Sequence, residues 1–411
     1  MSDPSLVARL LGVVPIINAA GPATRLSGLP MHPDVVAAMA EAAQQCYRID
    51  ELQEAAGRYI AELTGAEAGY VTSGAAAGLV LGTAACIARL DLAAMDRLPE
   101  AGALRNEVIV QRGHFTAYTR LLRAAGAHLV EVGYVGYPAQ GVTWPWQIEA
   151  AISERTCAIA FNVGDVAGTV PLEEVTALAA PRGIPVIVDA AAALPPKENL
   201  RRFVAAGADL VVFSGGKAIG GPQATGIVAG RRELIDSIAL QHQDMDVRPA
   251  TWSWGQRHIA TGRLPGPPNH GIGRSMKVGK EQIAGLIAAL ERFVAKDSDG
   301  EAWAVQDQRL AALSRALEGL PGVHLKLMTP EDSPRPYPTL LVRLDEHQLG
   351  TTVESVMTEL SEGDPPVAVS HNFIDRRAMG LVALALRDDQ VDPLVDRLVN
   401  VLDRSRERRE T

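Results

Sequence analysis

The sequence predicts an α/β protein: a mostly parallel seven-stranded sheet with helices on both faces, followed by a smaller α+β C-terminal domain. Three observations predict it. Seven short apolar runs alternate with helix-like stretches between residues 69 and 229, the pattern of successive βα units. Runs such as Pro185-Val-Ile-Val-Asp189 and Asp209-Leu-Val-Val-Phe213 are apolar without polar alternation, as strands covered on both faces are. The chain has 411 residues, enough for two domains with a large core.

Taken in order, residues 33–64 read as helix, with Pro33 in the first turn. Strands are expected at 69–72, 107–111, 128–132, 157–161, 185–189, 209–213 and 225–229, with helix between most of them, as at 171–180. Residues 68–88 carry no charge and are long enough to raise a membrane span. They open with Tyr70-Val71 and the Ser73-Gly74 turn, so a strand plus a core helix is expected and no membrane association. Residues 248–273, rich in Pro, Gly and Trp, read as a loop joining the domains. Residues 277–294 read as a helix opening the smaller domain, whose strands include 339–344 and 380–386. The charge run 404–411 reads as a solvated helix end. The division is an N-terminal segment at 1–60, a large domain at 61–265 and a small domain at 266–411.

Net charge is −9, and the three cysteines, Cys46, Cys86 and Cys157, lack metal-ligand spacing. No metal and no disulfide framework are expected, and the compartment is read as reducing. The first residues lack a signal-peptide pattern, so the expected location is the cytoplasm.

The most informative segment is Phe213-Ser214-Gly-Gly-Lys217-Ala-Ile-Gly-Gly. A lysine among glycines at the mouth of a buried strand is either solvated or an amine used in chemistry. Asp189 ends another buried strand 28 positions earlier. A lysine for an aldehyde and a carboxylate for a pyridine nitrogen are what pyridoxal 5'-phosphate (PLP) requires. Ser73-Gly74-Ala75 follows a strand and opens a helix, a turn whose N–H groups suit a phosphate. His114 follows the strand 107–111 and is either a ring that stacks on the cofactor or a surface helix cap. Asn162 and Asp165 follow another strand, either reaching the cofactor ring oxygen or forming turns.

In this order the phosphate turn, histidine, Asn/Asp loop, aspartate and Phe-Ser-x-x-Lys resemble the fold type I (aspartate aminotransferase-like) PLP enzymes. Phe213–Gln223 and Ile17-Asn18-Ala-Ala-Gly21 are similar to the selenocysteine synthase (seryl-tRNA selenium transferase) family. Residues 273–281 are similar to its D-glucosaminate-6-phosphate ammonia-lyase branch. The resemblance implies that Lys217 carries the cofactor and moves protons, Asp189 pairs with the ring nitrogen and His114 stacks. It further implies that Ser73, Gly74, Ala75 and Ser214 hold the phosphate. Asp165 stands where related enzymes often carry asparagine, and a carboxylate there would repel a phenolate. His270 and Arg274 are candidates for a neighbouring subunit's cofactor phosphate, Arg274 also for substrate, the alternative for both being a plain linker. Arg387 is the candidate for a substrate carboxylate, its alternative an ion pair with Asp388 or Asp389. Asn18 is a further substrate-binding candidate.

The implied reaction is α-proton abstraction and β-elimination from a small hydroxylated amino acid or amino-sugar acid. Lys217 would be the base, and His114, His242, His270 or His371 the acid for the leaving hydroxyl. A racemase or epimerase, an aldolase, an aminotransferase or a non-catalytic binding protein are the alternatives. A homodimer or higher homo-oligomer is implied. The net charge of −9 and the short lead-in before Asn18 argue against nucleic-acid binding. The protein should therefore fail to retain tRNA on a filter at physiological salt; tight, salt-sensitive retention would contradict this reading.

Overall fold

A computed structural model describes residues 6–136, 139–164, 166–295, 298–329 and 337–410. The chain forms two compact units, Met31–Ala295 and Met1–Pro30 with Lys296–Thr411. Residues 31–60 and 266–295 thus belong with the larger unit, and the first 30 residues with the C-terminal one, a division different from that at 60 and 265.

The larger unit holds a seven-stranded sheet. Its strands are β1 (Ala68–Thr72), β2 (Glu107–Gln111), β3 (His128–Val132), β4 (Thr156–Asn162), β5 (Val186–Asp189), β6 (Leu210–Ser214) and β7 (Gly226–Gly230). Their spatial order is β1-β7-β6-β5-β4-β2-β3. The neighbours from β6 to β3 run parallel, and β7 lies antiparallel between β6 and β1. The apolar runs follow from burial on two sides. Ile187, Leu210, Val212 and Val228 face one core, and Val186, Val188, Val211 and Phe213 face the other. Successive side chains point to opposite faces, so a strand sandwiched between two helical layers needs apolar residues at every position.

Helix α1 (Pro33–Ala43) begins with Pro33 at its first turn and the His32 side chain accepting from the Asp34 N–H at 3.2 Å. The expected single helix 33–64 is instead two, because the chain breaks after Ala43 and resumes as α2 (Ile49–Thr64). Asp50 and Glu51 occupy the first turn of α2, where negative charge favours an N-terminus. The uncharged run 68–88 is β1 followed by α3 (Ala75–Ala88). Among the described residues no helix is long and apolar enough to cross a membrane. Residues 248–273 do not form a plain linker. They lie in the larger unit, contain a helix at Ser253–Ala260, and bury Trp252 and Trp254 in a core. The helix expected at 277–294 runs over Lys280–Ala295 as α4 and closes the same unit.

In the smaller unit, Ile17–Ala19 pairs in parallel with Val367–Val369. A three-stranded antiparallel sheet joins Val323–Met328, Thr339–Leu344 and Ala378–Leu381. The strand expected to run from 380 to 386 ends at Leu381. The Val382 N–H donates to the Ala19 carbonyl at 2.8 Å, and a 3-10 turn follows at Ala383–Ala385.

Gly226 permits a close approach between the sheet and the turn before α3. A Cβ there would stand 2.5 Å from the Gly74 carbonyl carbon and 2.6 Å from the Ala75 nitrogen. Gly226→Ala should therefore destabilise the protein by about 1–3 kcal/mol, read as a lower thermal midpoint. An unchanged midpoint would mean that the turn before α3 moves aside freely.

Candidate active site

Strand register sets the site. Asn162 at the end of β4 pairs with Asp189 at the end of β5, and Asp189 pairs with Val212 of β6. Ser214, two residues beyond Val212, pairs with Gly226, which on its other side pairs with Thr72. The residues after Thr72 and those after Ser214 therefore emerge at one edge of the sheet. Ligands of parallel sheets gather at such carboxyl ends.

Lys217 lies in the turn after β6. The Gly215 N–H donates to the Thr225 carbonyl, the Gly221 N–H to the Gly215 carbonyl and the Gly220 N–H to the Lys217 carbonyl, each at 2.9 Å. These bonds fold the glycine-rich loop back on itself and leave Lys217 half-buried. Its charge acts on Asp189. Burial is the strongest influence on Asp189 and pushes its carboxyl above the ordinary carboxylate range. The Ala191 N–H, the Lys217 ammonium and the Asn162 amide pull the other way. Two of these contacts are direct: Ala191 N–H donates to Oδ1 at 3.1 Å and Asn162 Nδ2 to Oδ2 at 3.3 Å. Asn162 thus serves the aspartate, a task its position alone did not reveal.

His114 lies three residues beyond β2 in the short turn Arg112–His114. It is only 3% exposed. Burial lowers its pKa to about 4, so the ring is neutral near pH 7. Its edge meets Phe161, with centroids 4.4 Å apart and planes at 74°. Both ring nitrogens lack a hydrogen-bond partner among the described residues, which is costly for buried polar atoms. A small, half-open pocket is lined in part by His114, Thr116, Tyr118, Phe161, Asn162 and Asp189. Sequence reasoning missed Thr116, Tyr118 and Phe161; only their nearness to His114 and Asn162 in the chain pointed to them.

Gly74, with φ 132° and ψ 161°, precedes α3, and no side chain caps this helix. The Thr72 hydroxyl donates to the Gly74 carbonyl at 2.9 Å and pins the turn. Ser73, Gly74 and Ala75 are half-buried. The uncapped first-turn N–H groups suit an anion. An amine, a half-buried carboxylate, a neutral imidazole without a partner among the described residues and an uncapped helix start are the groups that a phosphorylated pyridine aldehyde requires, so these residues fit PLP.

The other expected residues have partners of their own. His270 is exposed, accepts from the Met245 N–H at 3.2 Å and lies 3.4 Å from Asp246. Arg274 pairs with Asp244 at 2.7 Å. His242 is buried, its Nδ1 2.9 Å from the Tyr70 hydroxyl and its Nε2 2.9 Å from the Met276 carbonyl. Arg387 grips Asp389 through two hydrogen bonds of 2.9 and 3.0 Å, the alternative weighed for it. Asn18 gives its side chain to backbone groups of its own loop. Asp165 lies outside the described residues.

A family model described as L-seryl-tRNA selenium transferase matches residues 29–247. The chain is 31% identical to the 5'-C-glycyluridine monooxygenase-decarboxylase of a Streptomyces species, over 95% of this chain and 91% of that protein. It is also 31% identical to the D-glucosaminate-6-phosphate ammonia lyase of Salmonella typhimurium, over 86% of each. A solved structure of D-glucosaminate-6-phosphate ammonia-lyase superimposes with a TM-score of 0.80 at 28% identity, covering 98% of this chain and all of that one.

The raised pKa of Asp189 has a thermodynamic consequence. A carboxyl easier to protonate when folded than when unfolded costs stability while ionised. That cost is fully present above its folded pKa and vanishes as pH falls below the unfolded value near ~3.9. Asp189→Asn, measured on protein stripped of small molecules, should melt above the wild type at pH 7. The gap should close on acidification; a gap independent of pH would contradict the assigned cause.

Proposed function

The chain belongs to the L-seryl-tRNA selenium transferase family, and from that premise we propose that it is a PLP-dependent lyase acting on a small hydroxylated amino acid or amino-sugar acid. The observation that carries the reading is the Asp189 carboxylate, held by Asn162 and Ala191 and facing the Lys217 charge at the end of a fold type I sheet. The ammonia-lyase relatives support the reaction type. When bound, PLP supplies an aldehyde that condenses with amines and a protonated ring that draws electrons from the substrate's α-carbon.

The chain's own groups divide the remaining work. Asp189 opposes the positive charge of the ring nitrogen and keeps it protonated. Asn162 and the Ala191 N–H keep that carboxylate ionised and aimed. His114, neutral and closely packed on Phe161, offers a flat face against which the ring rests. Ser73, Gly74, Ala75 and Ser214 receive the phosphate at the start of α3. Lys217 Nζ, once neutral, takes the proton from the α-carbon. The β-hydroxyl then leaves with a proton as water; water returns as the amine departs, so a keto acid and ammonia account for every atom. The reading includes a homo-oligomer. Tyr118, Tyr134, Trp144 and Trp146 are exposed large aromatics in a chain with only 4% aromatic residues, and such side chains are enriched at subunit interfaces.

A second reading follows from the Streptomyces relative, whose name denotes oxygenation and decarboxylation. A panel of D- and L-hydroxy amino acids and amino-sugar acids separates the two. Ammonia and keto acid in equal amounts without oxygen uptake support the lyase; carbon dioxide release coupled to oxygen uptake supports the second reading. With the substrate found, Lys217→Ala should lose the absorbance near the visible-violet boundary and cut turnover about a thousandfold or more. A variant that keeps both would contradict the proposed role. Asp189→Ala should cut turnover about a hundredfold or more with the fold intact, and undiminished turnover would assign the ring nitrogen another partner.

A further inference from the structure

One buried side chain of the larger unit keeps two strand exits together where the sheet no longer does. The last pair of the ladder between β2 and β4 is Val110 with Ala160. Past it, the chain of β2 leads to His114 and the chain of β4 to Asn162, which holds Asp189. Gln111 stands at this fork and is 1% exposed. Its Nε2 donates to the Val170 carbonyl at 3.0 Å, and its Oε1 accepts from the Val170 N–H at 2.7 Å. The amide thus meets Val170 as a neighbouring strand would, with one donor and one acceptor satisfied on each side. Val170 is itself buried, so both its backbone groups depend on that amide.

The segment 166–170 carries the restraint onward. The Thr169 N–H and hydroxyl both donate to the Val166 carbonyl, at 3.2 and 2.8 Å, and the Gly168 carbonyl accepts from the Thr143 N–H at 2.9 Å. This compact turn lies against the turn Arg112–His114. A Cβ on Gly113 would stand 2.5 Å from Thr169 Cγ2 and 3.1 Å from Val166 Cγ1. Gly141 approaches as closely, since a Cβ on it would stand 2.5 Å from Gly113 Cα. The His114 ring follows directly in the chain. Neither of its nitrogens has a hydrogen-bond partner among the described residues, so packing of the turn that carries it sets its plane.

We propose that Gln111 is a positioning residue for His114: by gripping Val170 it holds the segment 166–170 against the turn Arg112–His114, fixing the ring and keeping water from it. The link from that ring to a cofactor rests on the proposed function; the grip of Gln111 does not.

NMR of the full chain, stripped of small molecules, follows the His114 and His242 rings as pH is lowered. In the wild type, burial lowers the His114 pKa to about 4. Gln111→Leu, of similar bulk but without the amide, should admit water to the ring and raise its proton affinity about tenfold or more, toward that of an unperturbed histidine. His242, buried against Tyr70 and Met276 in the same unit, should titrate as in the wild type, whereas a general loosening would move both rings. Thr169→Ser keeps the hydroxyl bond and removes only the methyl pressed on Gly113. It should raise the His114 proton affinity by about two- to threefold, and it carries the test if Gln111→Leu does not fold. PLP titrated into the stripped proteins should bind Gln111→Leu about tenfold more weakly than the wild type. A His114 titration unchanged in the variants, a shift shared equally by His242, or equal and measurable PLP affinity would overturn the proposal. Because the titration is read without cofactor, a wild type that takes up no PLP while His114 responds as expected would sustain the positioning role and count against the lyase alone.

Discussion

Asp189 sits where burial favours its protonated form, and the site works through the groups that resist that preference. The Ala191 N–H, the Asn162 amide and the Lys217 ammonium each favour the anion. An ionised carboxylate placed in low dielectric is costly unless such partners surround it. Here the partners come from three consecutive positions in the sheet: β4 supplies Asn162, the segment after β5 supplies Ala191, and the loop after β6 supplies Lys217. The parallel arrangement puts all three strand ends at one edge, so the cost of the charge is partly offset where a ligand can approach.

This dependence explains what the sequence disclosed and what it withheld. The seven strands were legible because burial on both faces demands apolar residues at every position, a signal that 187–188 and 210–213 carry without interruption. Lys217, Asp189 and the Ser73–Ala75 turn were legible because each stands at the end of such a run. The role of Asn162 was not, because the register Asn162 to Asp189 is a pairing between strands and no local pattern encodes it. The break between α1 and α2 was hidden because both halves are good helix formers. The burial of Trp252 and Trp254 was hidden because a segment rich in proline and glycine looks like a linker whatever it packs against. The end of the strand at Leu381 depends on where the Val382 N–H finds its acceptor, a contact with Ala19 far away in the chain.

Two relatives of equal identity carry names for unlike reactions, ammonia loss in one and oxygenation with decarboxylation in the other. Chemistry that begins by drawing electrons from an α-carbon can lead to either, according to which bond is broken next. In the proposed function Lys217, Asp189 and the Ser73–Ala75 turn set the common beginning. The outcome is decided by groups that hold the rest of the ligand, because orienting it selects the bond aligned for cleavage.

The central claim is that the Lys217 amine carries the cofactor opposite the Asp189 anion. Borohydride reduction of the purified holoprotein, followed by proteolysis and mass spectrometry, tests it most directly. The account predicts a single phosphopyridoxyl adduct, on the peptide that contains Lys217. An adduct on any other lysine, with Lys217 unmodified, would contradict it.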